Sequence, residues 1–425
     1  MKRLQLTGLV VALVAAGVSV AQAQPEERLR QGVLDRDRPA YAARGMRAGN
    51  FLIYPAVELK IAHDDNIYAT DTSDTGDFIY ETKPEVKVES NLPRHAFYAK
   101  AVARNQVYFA KSSENRTDYF VGAGSRIDIR RTTNWNTEAE FQTDTEDRGS
   151  PDATGAAAEP VQYRRFQGKS GIRYRPGRLN FETGGLFERY DFDDVALIGG
   201  GTQNNDDRDR NMYGTYSRIG FDVSPGYELF ALGMYSITKY DDSFDDLQFG
   251  TQYNRDSHGY QVETGARIEL TNVISSEFSV GYLSRDYRDP RLQDINGVST
   301  EAKLQWYVTR LTTVLFSASR RVQETTLRDL VGNPASGYLE TVFDVGVDHE
   351  LMRNVILSAY YRFGIRDYQG ISRTDHQHDV TLRAIYMLNR YLSLAGEYRF
   401  TTRNSDTPGE DYDRNILMLT LRAQI

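Results

Sequence analysis

Eight short polar connections recur along this chain roughly every forty residues, and most of what lies between them alternates apolar with polar side chains. The connections are NLPRH (91–95), RTTN (131–134), RPGR (175–178), SPGY (224–227), LTNV (270–273), VTRL (308–311), LMRN (351–354) and LNRY (388–391). Between successive ones lies a longer Asp-, Asn-, Gly- and Ser-rich stretch, such as DTEDRGSPDATGAAAEP or DDVALIGGGTQNNDDRDR. Gly, Pro, Asn and Asp reverse a chain for steric and hydrogen-bonding reasons, so both sets read as reversals. The intervening segments run to about 11–16 residues. In GYQVETGARIEL, Tyr260, Val262, Ala266, Ile268 and Leu270 oppose Gln261, Glu263, Arg267 and Glu269. A period of two is that of a strand, whose successive side chains leave opposite faces. Eight short turns and about nine long loops predict about eighteen antiparallel strands.

Soluble strands average about five or six residues, whereas a tilted strand needs about 9–11 to cross a bilayer's hydrocarbon. Short turns on one side, long loops on the other and an even strand number are features of a bacterial outer-membrane barrel, apolar outward and polar inward. The fold class predicted is therefore all-β: a transmembrane antiparallel β-barrel over 51–425, with short periplasmic turns and long extracellular loops. The last segment, ILMLTLRAQI, fits as the closing strand, with Leu417, Leu419, Leu421, Ala423 and Ile425 facing lipid. Its partner is the first strand, where Ile53, Val57, Leu59 and Ile61 form the matching set. A β-propeller also repeats near forty residues, but packs four short strands into each repeat. A soluble sandwich would not need charges at alternate positions through nearly every strand.

Composition agrees. Apolar residues make up 40% of 425, and the mean hydropathy is −0.56. After residue 24 no run of 18 apolar residues offers a membrane helix. The 28 Tyr suit half-buried strand surfaces and membrane–water boundaries, since the ring is apolar and the hydroxyl seeks water. A net charge of −8 leaves no basic footprint for nucleic acid. Lys2 and Arg3, an apolar stretch from Leu6 to Val20 and Ala21-Gln22-Ala23 follow the order of a secretory signal peptide cut after Ala23. Without Cys, neither a lipoprotein anchor nor a disulfide framework is expected. Residues 24–50 read as a periplasmic arm, partly helical or tucked into a pore.

No catalytic constellation, cofactor motif or metal site emerges. His376 and His378 form a close pair read as lying in or near the loop before the sixteenth strand, and spacing fixes no third ligand. Asp71, Ser73 and Gly76 imitate the start of a calcium loop, but Thr82 stands where a bidentate Glu is required. A Ser-His-Asp hydrolase assembled across strands is the enzymatic competitor, without a nucleophile elbow to support it.

What remains is the inner wall. Alternation nominates Arg126, Asp128 and Arg130 on the fourth strand, and Arg165, Lys169 and Arg173 on the sixth. The eighth offers Arg218 and Asp222, the tenth Glu263, Arg267 and Glu269. Later strands add Lys303, Asp344, Arg362, Arg366, Arg383, Glu397, Arg399 and Arg422. Tyr108, Tyr190, Tyr216, Tyr240 and Tyr360 accompany them. Such charges either brace a hydrated wall by cross-strand pairing or line a passage with hydrogen-bonding groups suited to sugars. The two roles are compatible, and a single bulge reverses an assignment.

The stretches IYPAVELKIAHDDNIYATDTSDTGDFIYETKPEVKVES and RNQVYFAKSSENRTDYFVGAGSRIDI resemble the Putative beta-barrel porin 2 family of Gram-negative outer-membrane proteins. The resemblance rests on Asp64-Asp65-Asn66-Ile67-Tyr68, on a Ser/Asp loop leading to Asp77-Phe78, and on a hairpin at 113–119. It implies an outer-membrane channel without catalytic residues, often tied to exopolysaccharide export. It also implies polysaccharide cargo and a periplasmic polysaccharide export protein as partner. The terminal alternation resembles the signal recognised by the barrel-assembly machinery, which usually ends in Phe where this chain has Ile425. Outer-membrane lipid and lipopolysaccharide are the expected surroundings. Three functions compete: exopolysaccharide conduit, general diffusion porin for small solutes, and a structural or surface-binding barrel. The loops near 146–160 and 193–209 would either fold inward or flap outside.

Overall fold

The computed structural model describes residues 32–425 except 73, 154, 242–252, 271–272 and 330–331. The signal peptide expected over 1–23 and the start of the arm, 24–31, lie outside the described residues. Eighteen strands follow one another: β1 (Phe51–Asp64), β2 (Asp77–Ser90), β3 (Ala96–Tyr108), β4 (Arg116–Arg130), β5 (Thr133–Thr145) and β6 (Gln162–Tyr174). Then come β7 (Leu179–Phe192), β8 (Arg210–Ser224), β9 (Tyr227–Tyr240), β10 (Ser257–Leu270), β11 (Ile274–Tyr287) and β12 (Ile295–Thr309). The last are β13 (Thr312–Glu324), β14 (Gly337–Met352), β15 (Val355–Gln369), β16 (Thr374–Met387), β17 (Leu392–Ser405) and β18 (Tyr412–Gln424).

Each strand pairs antiparallel with the next, and β18 closes on β1 from Ala56↔Gln424 to Asp64↔Ile416. Among the described residues, closure leaves none of the eighteen strands at an edge, which lipid would not tolerate. The predicted strand number of about eighteen therefore holds. Two of the short turns use Pro176-Gly177 and Pro225-Gly226, where Gly177 (φ +65°) and Gly226 (φ +80°) adopt the left-handed conformation that a side chain resists.

The alternation sorts side chains as expected. Leu417, Leu419 and Leu421 are 64%, 50% and 41% exposed, whereas Met418 between them is 8% exposed. A chain with its oily face in water would be unstable; facing lipid, the same face is satisfied. Outward aromatics gather at both rims: Trp135, Tyr174, Trp306 and Tyr386 beside the short turns, Tyr80, Tyr119, Tyr213 and Tyr260 nearer the long loops. These are the girdles of an outer-membrane barrel.

The wall departs from a plain cylinder at one place. β12 and β13 pair from Thr300↔Arg320 to Trp306↔Val314, and at Thr309↔Thr312. Among the described residues no ladder joins 295–299 to 321–324, although each of these stretches pairs on its other side. Beyond Arg320 the tip of the β13–β14 hairpin has slipped inside. Val322 and Leu339, on the outer face by alternation, pack against inward Leu283, Tyr287 and Ile295 of β11 and β12. Glu324 reaches inward Arg285, Tyr240 and Tyr287. A Cβ on Gly337 would meet Ile295 Cδ1 at 2.9 Å and Tyr287 Oη at 3.0 Å. The wall thus overlaps itself at the long-loop end.

Candidate functional site: the lumen and its two mouths

Of the residues nominated for the wall, all but Arg130 stand on the inner face. The register shifts between Asp128 and Arg130, so Arg130 faces Thr133 at the exposed turn rim, on the side that carries Trp135. One bulge has reversed it. Most of the rest are drawn into ion pairs, across strands or along one. Arg165 meets Glu188 at 2.6 Å, and Arg173 meets Glu182 at 2.7 Å. Arg218 and Arg267 share Glu228 (3.3 and 3.4 Å) and Glu277 (3.8 and 2.6 Å). Arg362 pairs with Asp344 at 2.6 Å and Arg366 with Glu340 at 3.5 Å. Arg383 and Arg399 converge on Glu397, at 3.7 and 3.0 Å. Arg422 bridges Glu58 (2.5 Å) and Glu85 (3.3 Å) across the closing seam. Arg126 lies 3.2 Å from Asp128, and Lys303 lies 2.7 Å from Glu301.

Glu263 is held by Ser279, Ser299 and Gln261. Asp222 accepts from Asn180 at 3.1 Å, and Glu269 keeps the inward register of its strand. Lys169 sits 4.8 Å over the Tyr216 ring. Tyr190 and Tyr360 donate to Glu188 and Asp348, and Tyr108 packs on Ala62, Ile67 and Met418. The product is a hydrated wall of paired charges, hydroxyls and aromatic faces, with no sign dominating.

His376 and His378 belong to β16 rather than to a loop. They point outward, where His378 stacks on Phe363 at 4.8 Å and its Nδ1 lies 2.8 Å from Tyr361 Oη. The alternation through Asp375 and Gln377 puts them on the lipid side.

The long-loop mouth is crossed by 146–161, between β5 and β6. Its Asp152 accepts from the Thr325 hydroxyl and the Thr326 N–H, just past β13 and nearly opposite in the ring. Arg148 pairs with Glu114 at 2.6 Å, and Glu146 with Arg208 of the 193–209 loop at 2.7 Å. Arg403 of β17 donates to the Gly149 carbonyl at 3.0 Å. These two loops also join through Ala157↔Leu197. Both fold inward and build a lid.

The Asp64–Tyr68 motif anchors this lid. Asp64, fully buried, binds Arg414 at 2.6 Å, and Arg414 reaches on to Asp147 at 3.1 Å. Asp65 accepts from the Asn415 N–H and side-chain amide, both at 2.7 Å. Asn66, also fully buried, donates to the Thr70 and Asp413 carbonyls. Ile67 fills the apolar cluster with Ala62, Ile79, Tyr108 and Met418, and Arg148 lies over the Tyr68 ring. The motif therefore clamps β1 to β18 and fixes the guanidinium that holds the crossing loop. Enclosure pushes the Asp147 carboxyl up, but Arg414, the Gly149 N–H and Arg116 hold it down at about 2. Asp209 at the foot of the neighbouring loop is raised to about 6, by burial first and then by Asp191, Asp206 and Asp241.

At the short-turn mouth, 32–45 enters the lumen. Val33 is fully buried against Ile356 and Met387, beside Ile385, and its N–H donates to Thr313 at 3.1 Å. Arg38 and Arg36 pair with Glu350 at 2.8 and 3.4 Å. The chain then forms the short strand Met46–Ala48 on the stretch of β1 that β18 leaves free. The described part of the expected arm is thus a plug, without helix.

The family model described as Putative beta-barrel porin 2 matches residues 38–425. The structure resembles the copper transporter OprC, with a TM-score of 0.53 at 10% identity over 90% of this chain and 82% of that one. The siderophore receptor PiuA from Acinetobacter baumannii gives 0.51 at 9% identity, over 90% and 82%. The outer membrane protein OpdK from Pseudomonas aeruginosa gives 0.45 at 12%, over 88% and 99%. At these identities the likeness is one of fold. None of the curated proteins matches the chain in sequence.

Proposed function

This chain belongs to the Putative beta-barrel porin 2 family, and on that premise we propose that its channel is a conduit for exopolysaccharide across the Gram-negative outer membrane. The observation that carries the reading is the lumenal wall. Its cations are matched by carboxylates across neighbouring strands, so the wall presents many donors and acceptors with little net field. Such a surface favours neither small cations nor small anions, and it can exchange hydrogen bonds with a hydroxyl-rich, weakly charged polymer. Inward Tyr240 and Tyr360 add apolar faces on which sugar rings can slide. Both mouths are occupied, so transport requires the plug and the lid to move. A periplasmic polysaccharide export protein is the natural agent on the short-turn side. Lipopolysaccharide and the barrel-assembly machinery are partners of the same reading, which assigns the protein no enzymatic step.

A general diffusion porin is the second reading, and the crossing loop favours it, because an inward-folded loop is how a porin narrows its passage. The test is a clean deletion followed by assays of surface polysaccharide and of small-solute uptake. Loss of polymer from the surface with unchanged uptake is the expected result. Normal polymer with impaired uptake would establish the porin instead. No change in either would leave the barrel a surface-binding or structural role.

A further inference from the structure

The two rims of the barrel carry opposite charge. The nine long loops hold 24 Asp and Glu against eight Lys and Arg. The eight short turns hold no Asp, Glu or Lys, but seven Arg: 94, 131, 175, 178, 310, 353 and 390. Arg390 is half-buried and the other six are exposed. Among the described residues none of the seven has a carboxylate within ion-pair distance, whereas most arginines of the inner wall do. A chain of net charge −8 has thus collected guanidinium groups without carboxylate partners at one level of the molecule. That level adjoins the outward belt of Trp135, Tyr174, Trp306 and Tyr386.

We infer that this rim binds the phosphate groups of the phospholipid leaflet surrounding the short turns, and so sets the depth of the barrel in the membrane. Interfacial aromatics sit at the headgroup level, which brings the adjoining turns to the phosphates. Guanidinium is suited to phosphate by its planar fork of donors. The arginines occupy six of the eight turns and so surround the barrel. A lipid annulus has that distribution; a docked protein would call for basic residues concentrated on one sector. The opposite rim, rich in carboxylates, cannot make the same contact.

The test compares the full-length protein with the variant R94Q/R131Q/R178Q/R353Q, which leaves the inner-wall pairs intact. Both are reconstituted in vesicles of phosphatidylcholine alone or mixed with phosphatidylglycerol, and thermal unfolding midpoints are read at low and high salt. The native protein is expected to unfold at a higher temperature when phosphatidylglycerol is present, an increment that salt removes. The variant should match it in phosphatidylcholine and lose most of the increment. An increment retained by the variant would overturn the inference. So would a native protein indifferent to phosphatidylglycerol at low salt, in which case capture of an acidic periplasmic protein by the native rim but not by the variant would reassign it. If the variant does not fold, salt titration of the native protein's increment still decides: an increment that resists salt is not phosphate binding by this rim.

Discussion

The two mouths of this barrel are closed by different physics. At the long-loop end the closure is polar and buried: Asp64 with Arg414, Glu114 with Arg148, Glu146 with Arg208 and Glu324 with Arg285. At the short-turn end it rests on Val33 against Ile356 and Met387, and on Arg36 and Arg38 sharing Glu350. Buried ion pairs add little over an apolar alternative, yet losing one partner strands a charge, so the polar lid tolerates one geometry and resists half-open ones. A small apolar contact has no such memory. Burial of one Val is worth about 1.5–3 kcal/mol, a barrier that a pulling partner can supply. The short-turn mouth should therefore open first and more often.

The largest effect is expected at Arg414. R414M leaves Asp64 buried without its cation, and should cost about 3–5 kcal/mol in denaturant unfolding. It should also raise single-channel conductance, since Asp147 loses its tether. D64N/R414M should recover part of the stability but not the low conductance.

Next come the crossing loop and the overlapped hairpin. D152A removes the acceptor of Thr325 and Thr326 and should cost about 1–3 kcal/mol. G337L should push the β13–β14 tip off Ile295 and Tyr287, at about 1–3 kcal/mol for an overpacked contact. Both should increase conductance. An unchanged conductance in G337L would show that the overlap does not narrow the passage.

At the short-turn end, V33D should release the plug by loss of about 1.5–3 kcal/mol of local burial, leaving the global unfolding midpoint in place. Hydrogen exchange should rise over 32–45 and stay slow over 146–161. Equal acceleration in both segments would refute the idea that the mouths open independently.

The smallest effects are electrostatic. Asp209 has its folded value raised to about 6 above an ordinary 3.8, so the folded lid takes up the extra proton. Its contribution is present below about 4 and is lost as pH rises through about 6. D209N should flatten that part of the stability profile. Asp147, held at about 2, acts in the opposite sense: its contribution is present above about 4 and fades as pH falls toward 2. R362Q, which breaks a partly exposed pair in the wall, should cost about 0–1 kcal/mol.

Alternation is a local property of an extended backbone, so the strands, their number and the side of the wall that most residues face are legible in the chain. Arg165, Arg267 and Arg422 are placed on the inner face by that rule alone. The same rule puts apolar Ile385 and Met387 on the polar face, but it does not show that Val33 covers them. Arg130 escaped because a bulge moves a residue across the wall without changing its neighbours in sequence. His376 and His378 fall just inside β16 rather than in the loop before it, because polar residues mask a strand's start. Tertiary structure decided what stands opposite: Asp64 meets Arg414 from 350 residues away, Asp152 meets Thr325 across the ring, and Val322 packs inward although its alternation points outward. Local backbone geometry fixes a side, whereas a partner depends on which segments the closed ring brings face to face, and that is set only when the last strand meets the first.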